Sequence, residues 1–249
     1  MLEGRTIVVT GAARGVGRAI AEACAKRGAR LVIADILEEE GRHTTSDIAA
    51  TGTFARFVPV DLAKPESIDA LARDIRTHEG TVHGLVNNAA IATNVGGAGF
   101  EDIPIGLWDR VMTVNVRGTW LVTRALTSLM PDGADSRIVN LASDTALWGP
   151  PRLLAYVTSK GAVISMTRSL ARELGPRRIG IVAVAPGIMR NEATEDVPEE
   201  RHRHYQTGRA VPGPQVPEDI VDVVVFLLTK GALALTGQVL PVNAGFVYV

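Results

Sequence analysis

Short runs of β-branched residues alternate along this chain with longer segments whose apolar positions recur at helical spacing, and that alternation restricts the fold more than any other feature. TIVVT is followed by VGRAIAEACAKRG and then RLVIAD, and the later runs GLVNNA, RIVNLA and GIVAVAP are spaced the same way. Strands separated by helices imply right-handed crossovers and a parallel sheet. The runs are apolar almost throughout, as strands covered on both faces must be. The expectation is an α/β fold, a doubly wound parallel sheet with helices on both faces. At 249 residues with 46% hydrophobic content, one domain spanning 1–249 can bury a substantial core. No internal repeat, low-complexity tract or linker interrupts it. The one long irregular stretch, 189–217, is rich in charge and proline and follows a strand's C-terminal end, where a substrate lid is expected.

Charge and composition exclude several classes of function. A formal net charge of −1, with no basic cluster interleaved with aromatics, argues against nucleic acid. Arg177 and Arg178 are expected to cap a helix instead. The first strand, Thr6 to Thr10, begins too near Met1 for a leader, and no apolar run reaches membrane-spanning length, so a cytoplasmic protein is expected. The single cysteine, Cys24, shares a helical stripe with Val16 and Ile20 and reads as core. The five histidines are scattered without metal-ligand spacing, and His202 and His204 in RHRHY are expected to be solvated.

The first strand runs directly into a glycine-rich turn and then a helix. The turn comprises Gly11, Ala12, Ala13, Arg14, Gly15, Val16 and Gly17. Glycines let a backbone approach a ligand closely, and a helix N-terminus presents amide hydrogens and positive dipole to phosphate. Asp35 ends the next strand, where a carboxylate can accept from ribose hydroxyls and repel a 2′-phosphate, which points to NAD over NADP. Arg14 pulls weakly the other way, because a guanidinium there could pair with the extra phosphate. Asp35 could also be a plain turn residue.

Tyr156 and Lys160 lie four residues apart in AYVTSKGAVISMTRSLAREL, which places both side chains on one helix face. A free phenol titrates near pH ~10, and a neighbouring ammonium favours the phenolate, so the pair is expected to move protons nearer neutrality. The spacing also fits an exposed tyrosine stacked on a lysine stem. Ser143 could merely end a strand, and Asn115 could be a helix-interior polar residue bonded to nearby backbone.

TGAARGVG, Asp35, Asp61 in VDL, NNAA from Asn87, Asn115 in VNV, Ser143, YVTSK and the Pro186–Gly187 pair occur in one order. In that order and spacing the chain resembles the short-chain dehydrogenase/reductase family, over essentially its whole length. The resemblance implies a Rossmann fold and an oxidoreductase interconverting a secondary alcohol and a ketone by hydride transfer. Carried over, Tyr156 is the acid/base and Ser143 hydrogen-bonds the substrate oxygen. Lys160 lowers the tyrosine pKa and meets the nicotinamide ribose, and Asn115 holds a water linking Lys160 to solvent. Besides the glycine turn, the cofactor would be lined by Asp35, Ile36, Asp61, Leu62, Asn88, Ala89, Ala90, Tyr156, Lys160, Pro186, Gly187 and Met189. Asp61 would face the adenine and Met189 the carboxamide. Three positions depart from the family pattern: Ala90 where glycine is usual, Asn191 for threonine and Asn243 for aspartate.

The substrate end is expected to draw on Ile91, Thr93, Asn94, Val95, Ser143, Thr145, Leu147, Trp148, Leu153, Tyr156, Met189 and Tyr205. Leu147, Trp148, Pro150, Pro151 and Leu153 after Ser143, with Ile91 and Val95 on the other side, make the pocket mainly apolar, so a compact, largely apolar secondary alcohol is the expected small-molecule substrate. One alternative is a 3-oxoacyl-thioester (acyl-carrier-protein) reductase, for which Arg117, Arg124 and Arg172 could supply a basic mouth; Asp35 opposes its usual NADP. Another is a non-catalytic nicotinamide-sensing protein. The apolar last helix and strand, DIVDVVVFLLT and QVLPVNAGFVYV, suggest an interface, and the resemblance implies a homotetramer.

Overall fold

The computed structural model describes residues 1–133, 136–190, 194, 195 and 197–249. The β-branched runs form strands β1 (Thr6–Thr10), β2 (Arg30–Asp35), β3 (Ala55–Pro59), β4 (Gly84–Asn87), β5 (Arg137–Leu141), β6 (Gly180–Pro186) and β7 (Val239–Val242). Between them run α1 (Gly15–Ala25), α2 (Glu38–Ala50), α3 (Pro65–His78), α4 (Ile105–Met112), α5 (Thr119–Thr127), α6 (Thr145–Trp148), α7 (Leu154–Leu174), α8 (Glu199–Gly208) and α9 (Glu218–Leu227). All seven strands are parallel, in the order β3-β2-β1-β4-β5-β6-β7. The chain winds outward from β1 to β3 and then returns to β4 on the other side of β1. That reversal opens a crevice at the strands' C-terminal ends.

Strand periodicity divides the core into two layers. Ile7, Val9, Leu31 and Ile33 face Ile20 and Cys24 of α1 and Val224 and Leu227 of α9. Val8, Val32 and Leu85 face Ile68, Leu71 and Ile75 of α3 and Leu121, Val122 and Leu126 of α5. Truncating a fully buried member such as Ile7 to alanine would cost about 2–5 kcal/mol. Cys24 is buried in this layer, as its stripe predicted, and burial pushes its thiol up to about 12.

Two elements were less legible. β3 is an edge strand in which only Val58 is buried, so it lacks the continuous apolar run of its neighbours; Arg56 points out to Asp74 and Glu79. The irregular stretch contains a helix, α8, which buries His202 and Tyr205 in an otherwise polar sequence. His202 is therefore not solvated as expected, and its Nε2 lies 3.2 Å from the Thr194 carbonyl; His204 is exposed. Arg177 does cap a helix, but α5, not its own: its guanidinium donates to the carbonyls of Thr127 and Met130. Among the described residues no helix is long and apolar enough to cross a membrane, and no group of three His, Cys, Asp or Glu could hold a metal ion.

Candidate active site

β1 delivers the glycine turn to the crevice, and the turn's shape depends on missing side chains. Gly11 and Gly15 have positive φ, 64° and 56°. A Cβ on Gly11 would stand 2.7 Å from the Ala89 backbone, and one on Gly17 would strike the Gly11 carbonyl. The turn is stitched to β4 by Asn88, whose Nδ2 donates to the carbonyls of Thr10 and Gly11 at 3.0 and 2.9 Å. Asp35 is buried and pinned: Oδ2 accepts from the Ala13 N–H at 2.9 Å and Oδ1 from the Leu37 N–H at 3.1 Å. Each oxygen keeps further acceptor capacity. These groups border a cleft of about 660 Å³ with Arg14, Val16, Ile36, Asp61, Leu62, Ala89, Ala90, Pro186, Gly187 and Met189. Ala12 and Ala13 do not line it. Both are buried, and the Ala13 amide is spent on Asp35.

At the other end of the same cleft stand Ser143, after β5, and Tyr156 and Lys160 on α7. Lys160 Nζ lies 5.7 Å from the Tyr156 ring centre and donates to the Leu141 carbonyl at 2.8 Å. Burial dominates both groups. It lowers Lys160 to about 8 and raises Tyr156 to about 12, a rise that hydrogen bonding with Ser143 opposes and the charge of Asp144 reinforces. The sequence pointed to a phenol drawn toward neutrality by Lys160; in the fold burial raises Tyr156 instead, and the Lys160 ammonium donates to the Leu141 carbonyl. Ser143 Oγ also accepts from Thr145 Oγ1 at 2.9 Å.

Asn115 does not line the cleft. It is buried in a π-helical segment, Thr113–Gly118, which joins α4 to α5. Its Oδ1 accepts from the Ile91 N–H at 2.7 Å, and its Nδ2 donates to the Ile91 carbonyl and to Ser159 Oγ, both at 3.1 Å. The side chain ties a cleft-lining loop to the residue beside Lys160 and has no donor left for a water.

Ile91, Thr93, Thr145, Leu153 and Tyr205 reach the cleft as expected, and Asn94, Val95, Leu147 and Trp148 do not. Val95 packs with Val111 and Ala155, Leu147 lies against the Val163 and Ile164 cluster, and Asn94 is exposed at a φ of 54°. Trp148 turns toward α8, its Nε1 donating to Tyr205 Oη at 3.0 Å. Asn191 lies outside the described residues. Missed from the sequence were Asp144, Arg110 and Arg201, all lining the cleft. A carboxylate directly after Ser143 was the available signal for the first; the arginines carried none, since nothing local places α4 or α8 over the crevice.

A family model described as enoyl-(acyl carrier protein) reductase matches residues 11–247. The chain belongs to the short-chain dehydrogenase/reductase family. It is 32% identical to 2-(S)-hydroxypropyl-CoM dehydrogenase 3 of Xanthobacter autotrophicus, over 98% of this chain and 97% of that protein. It is 34% identical to a 3-oxoacyl-[acyl-carrier-protein] reductase of Aquifex aeolicus, covering 98% of each. The crystal structure of a dehydrogenase/reductase from Sinorhizobium meliloti superposes with a TM-score of 0.91 at 30% identity, covering 99% of this chain and 96% of that one. As a short-chain dehydrogenase/reductase the protein is a nicotinamide-dependent oxidoreductase that interconverts secondary alcohols and ketones.

Proposed function

We propose that this protein is an NAD-dependent dehydrogenase of compact, largely apolar secondary alcohols, built as one domain on residues 1–249. The observation that carries this reading is the single cleft with the glycine turn and Asp35 at one end and Ser143, Tyr156 and Lys160 at the other. The glycine turn and the N-terminus of α1 would take the pyrophosphate, Asp35 the adenosine ribose, Ile36, Asp61 and Leu62 the adenine, and Met189 the carboxamide. When bound, the nicotinamide supplies or accepts the hydride and, oxidised, brings a positive charge to the buried phenol.

Ser143 Oγ holds the substrate oxygen, and Tyr156 Oη takes the proton from the alcohol or returns it to the ketone. Lys160, with a pKa lowered to about 8, is an ammonium beside the phenol at neutral pH and would hold the nicotinamide ribose hydroxyls. Asn115 contributes placement: through Ser159 and Ile91 it fixes α7 against the loop after β4.

The apolar walls of Ile91, Leu153 and Met189 favour an apolar substrate, while Thr93, Thr145, Arg110, Asp144 and Arg201 are the polar groups the same cleft offers to a hydroxyl, so the preference over sugars is decided by measurement. A second reading, reduction of 3-oxoacyl thioesters, draws support from the Aquifex relative. Against it, Arg117 is engaged with the Ala63 carbonyl and Arg124 lies over Trp120, and neither they nor Arg172 borders the cleft. The test is a panel of secondary alcohols, sugars and hydroxyacyl thioesters with each cofactor, followed by reduced-nicotinamide absorbance. A sugar, hydroxy acid or thioester better by about tenfold in kcat/KM overturns the substrate class. No turnover of any substrate leaves the non-catalytic sensor.

The exposed Phe226, Tyr248 and Val249 support assembly into a homotetramer. Light scattering should give about four chains per particle, and a monodisperse monomer at micromolar concentration would defeat it.

A further inference from the structure

Asp144 follows Ser143, is fully buried, and has no place in the proton path described above. Its Oδ1 accepts from Tyr205 Oη of α8 at 2.9 Å, and its Oδ2 accepts from Asn243 Nδ2 at 3.2 Å. The phenol oxygen of Tyr205 also receives Trp148 Nε1, so α6, α8 and the C-terminal segment meet at one carboxylate. Tyr205 is stacked on Phe246 with ring centres 4.1 Å apart. The same carboxylate abuts the turn after β6, since a Cβ on Gly187 would stand 3.2 Å from Asp144 Oδ2 and 3.0 Å from Asn243.

The orientation of Asn243 is fixed. Its Oδ1 accepts from the N–H groups of Gly245 and Phe246 at 3.1 and 3.2 Å, which leaves only the NH₂ to face Asp144. This accounts for the departure noted in the sequence: an aspartate at 243 would set two carboxylates against each other. Position 144 carries the acid and position 243 the amide.

We propose that Asp144 is a positioning residue that seats α8 and the C-terminal segment against the Ser143 loop, and thereby sets the substrate end of the cleft. The charged and titratable groups around it are Tyr205 and Arg201 of α8, Arg209 just beyond it, and Tyr156 of α7; Arg209 in turn feels Asp219. Burial raises the Asp144 carboxyl to about 6, against the hydrogen bonds of Tyr205 and Asn243 and the charge of Arg209. Arg209 is itself buried and donates to the Ile188 carbonyl in the turn that faces the cleft.

The geometry permits a swap. Asp144→Asn sets two amide donors against each other, and Asn243→Asp sets two carboxylates. The double variant restores one donor and one acceptor while keeping acceptors for Tyr205, Gly245 and Phe246. The kinetic arm rests on the function proposed above and uses 1-phenylethanol with NAD. Each single variant should raise KM roughly tenfold, the loss of one hydrogen bond to a charged group, with kcat and the NADH dissociation constant within about threefold. The double variant should return KM to within about threefold of the parent. Tyr205→Phe, which keeps the ring on Phe246, should behave as the singles do. A double variant no better than the worse single, or singles that move kcat and NADH binding as much as KM, would overturn the proposal.

If no secondary alcohol of the panel is turned over, the functional reading has failed and the network is still decided by tryptophan emission and urea midpoint. Both should shift in the singles, through the Trp148 bond to Tyr205, and return in the double. Failure to return overturns the proposal. If a single variant does not fold, a folded double variant supports it and an unfolded one overturns it.

Discussion

The two ends of the cleft are built by different means. At the cofactor end the contacts that set the shape end on main-chain groups: Gly11 to Gly17 form the turn, Asp35 closes it by accepting from the Ala13 N–H, and Asn88 pins it through the Thr10 and Gly11 carbonyls. At the substrate end the shape comes from side chains brought together across the chain. Asp144 meets Tyr205 over a separation of 61 residues and Asn243 over 99. A wall held by one buried carboxylate moves when any contributor changes.

The first way to break this comparison is Tyr156→Phe, which removes the ionisable oxygen at the junction of the two ends. Loss of a positioned acid/base should lower kcat by about 10²–10⁴. The NADH dissociation constant should stay near that of the parent, because the ring still fits. Retention of more than about a few per cent of parental kcat would remove Tyr156 from the proton path.

The next effect is on stability and belongs to the substrate end alone. The Asp144 carboxyl, ordinarily near 3.8, stands at about 6 in the fold, so between those values the folded chain binds its proton more tightly than the unfolded chain. The stabilisation is complete below about pH 4 and is lost as pH rises through about 6, by at most about 3 kcal/mol. Urea midpoints of the parent measured against Asp144→Asn at pH 4.5 and 7 should show this fall only in the parent. A difference between the two proteins that is the same at both pH values would mean that Asp144 titrates normally.

Asp35 gives the corresponding effect at the cofactor end. If its remaining acceptor capacity serves the ribose, kcat/KM should favour NAD over NADP by roughly 100-fold, and Asp35→Ser should shrink the ratio. The variant also strips acceptors from the Ala13 and Leu37 amides, so affinity for NAD should fall with it. Equal use of both cofactors by the parent would reduce Asp35 to a turn-former.

What the sequence could reveal follows the same division. The parallel sheet, the glycine turn, Asp35 and the Tyr156–Lys160 pair were legible because each rests on a period or spacing along a short stretch, whereas Ser143 came only with the family resemblance. The edge strand β3 was harder because only Val58 of its five residues is buried, and α8 because RHRHYQTG has too few apolar residues to mark a face. Ala12 and Ala13 sat inside the right motif, but the motif does not say which amides are already spent. Asn115 was located without its partners, Ile91 and Ser159, which come from two other elements. Trp148 was placed in the pocket by its proximity to Ser143, whereas four residues of helix followed by Gly149 at a φ of 67° turn it toward α8.

That misplacement gives the smallest test. A tryptophan forming the pocket wall would contact substrate directly, and its replacement would change the preference among alcohols of different size. A tryptophan bracing Tyr205 from behind would not. Trp148→Phe keeps an aromatic ring near His204 and Phe246, whose centres lie 6.1 and 5.6 Å from that of Trp148, and removes the Nε1 donor along with one ring of the indole. One neutral hydrogen bond is worth about 1 kcal/mol, so the urea midpoint should drop modestly. The kcat/KM values for 2-butanol and 1-phenylethanol should fall together by about twofold, with their ratio intact, because Asp144 still accepts from Tyr205. A change of about tenfold in that ratio would return Trp148 to the wall and shift the brace of α8 onto Asp144 and Asn243 alone.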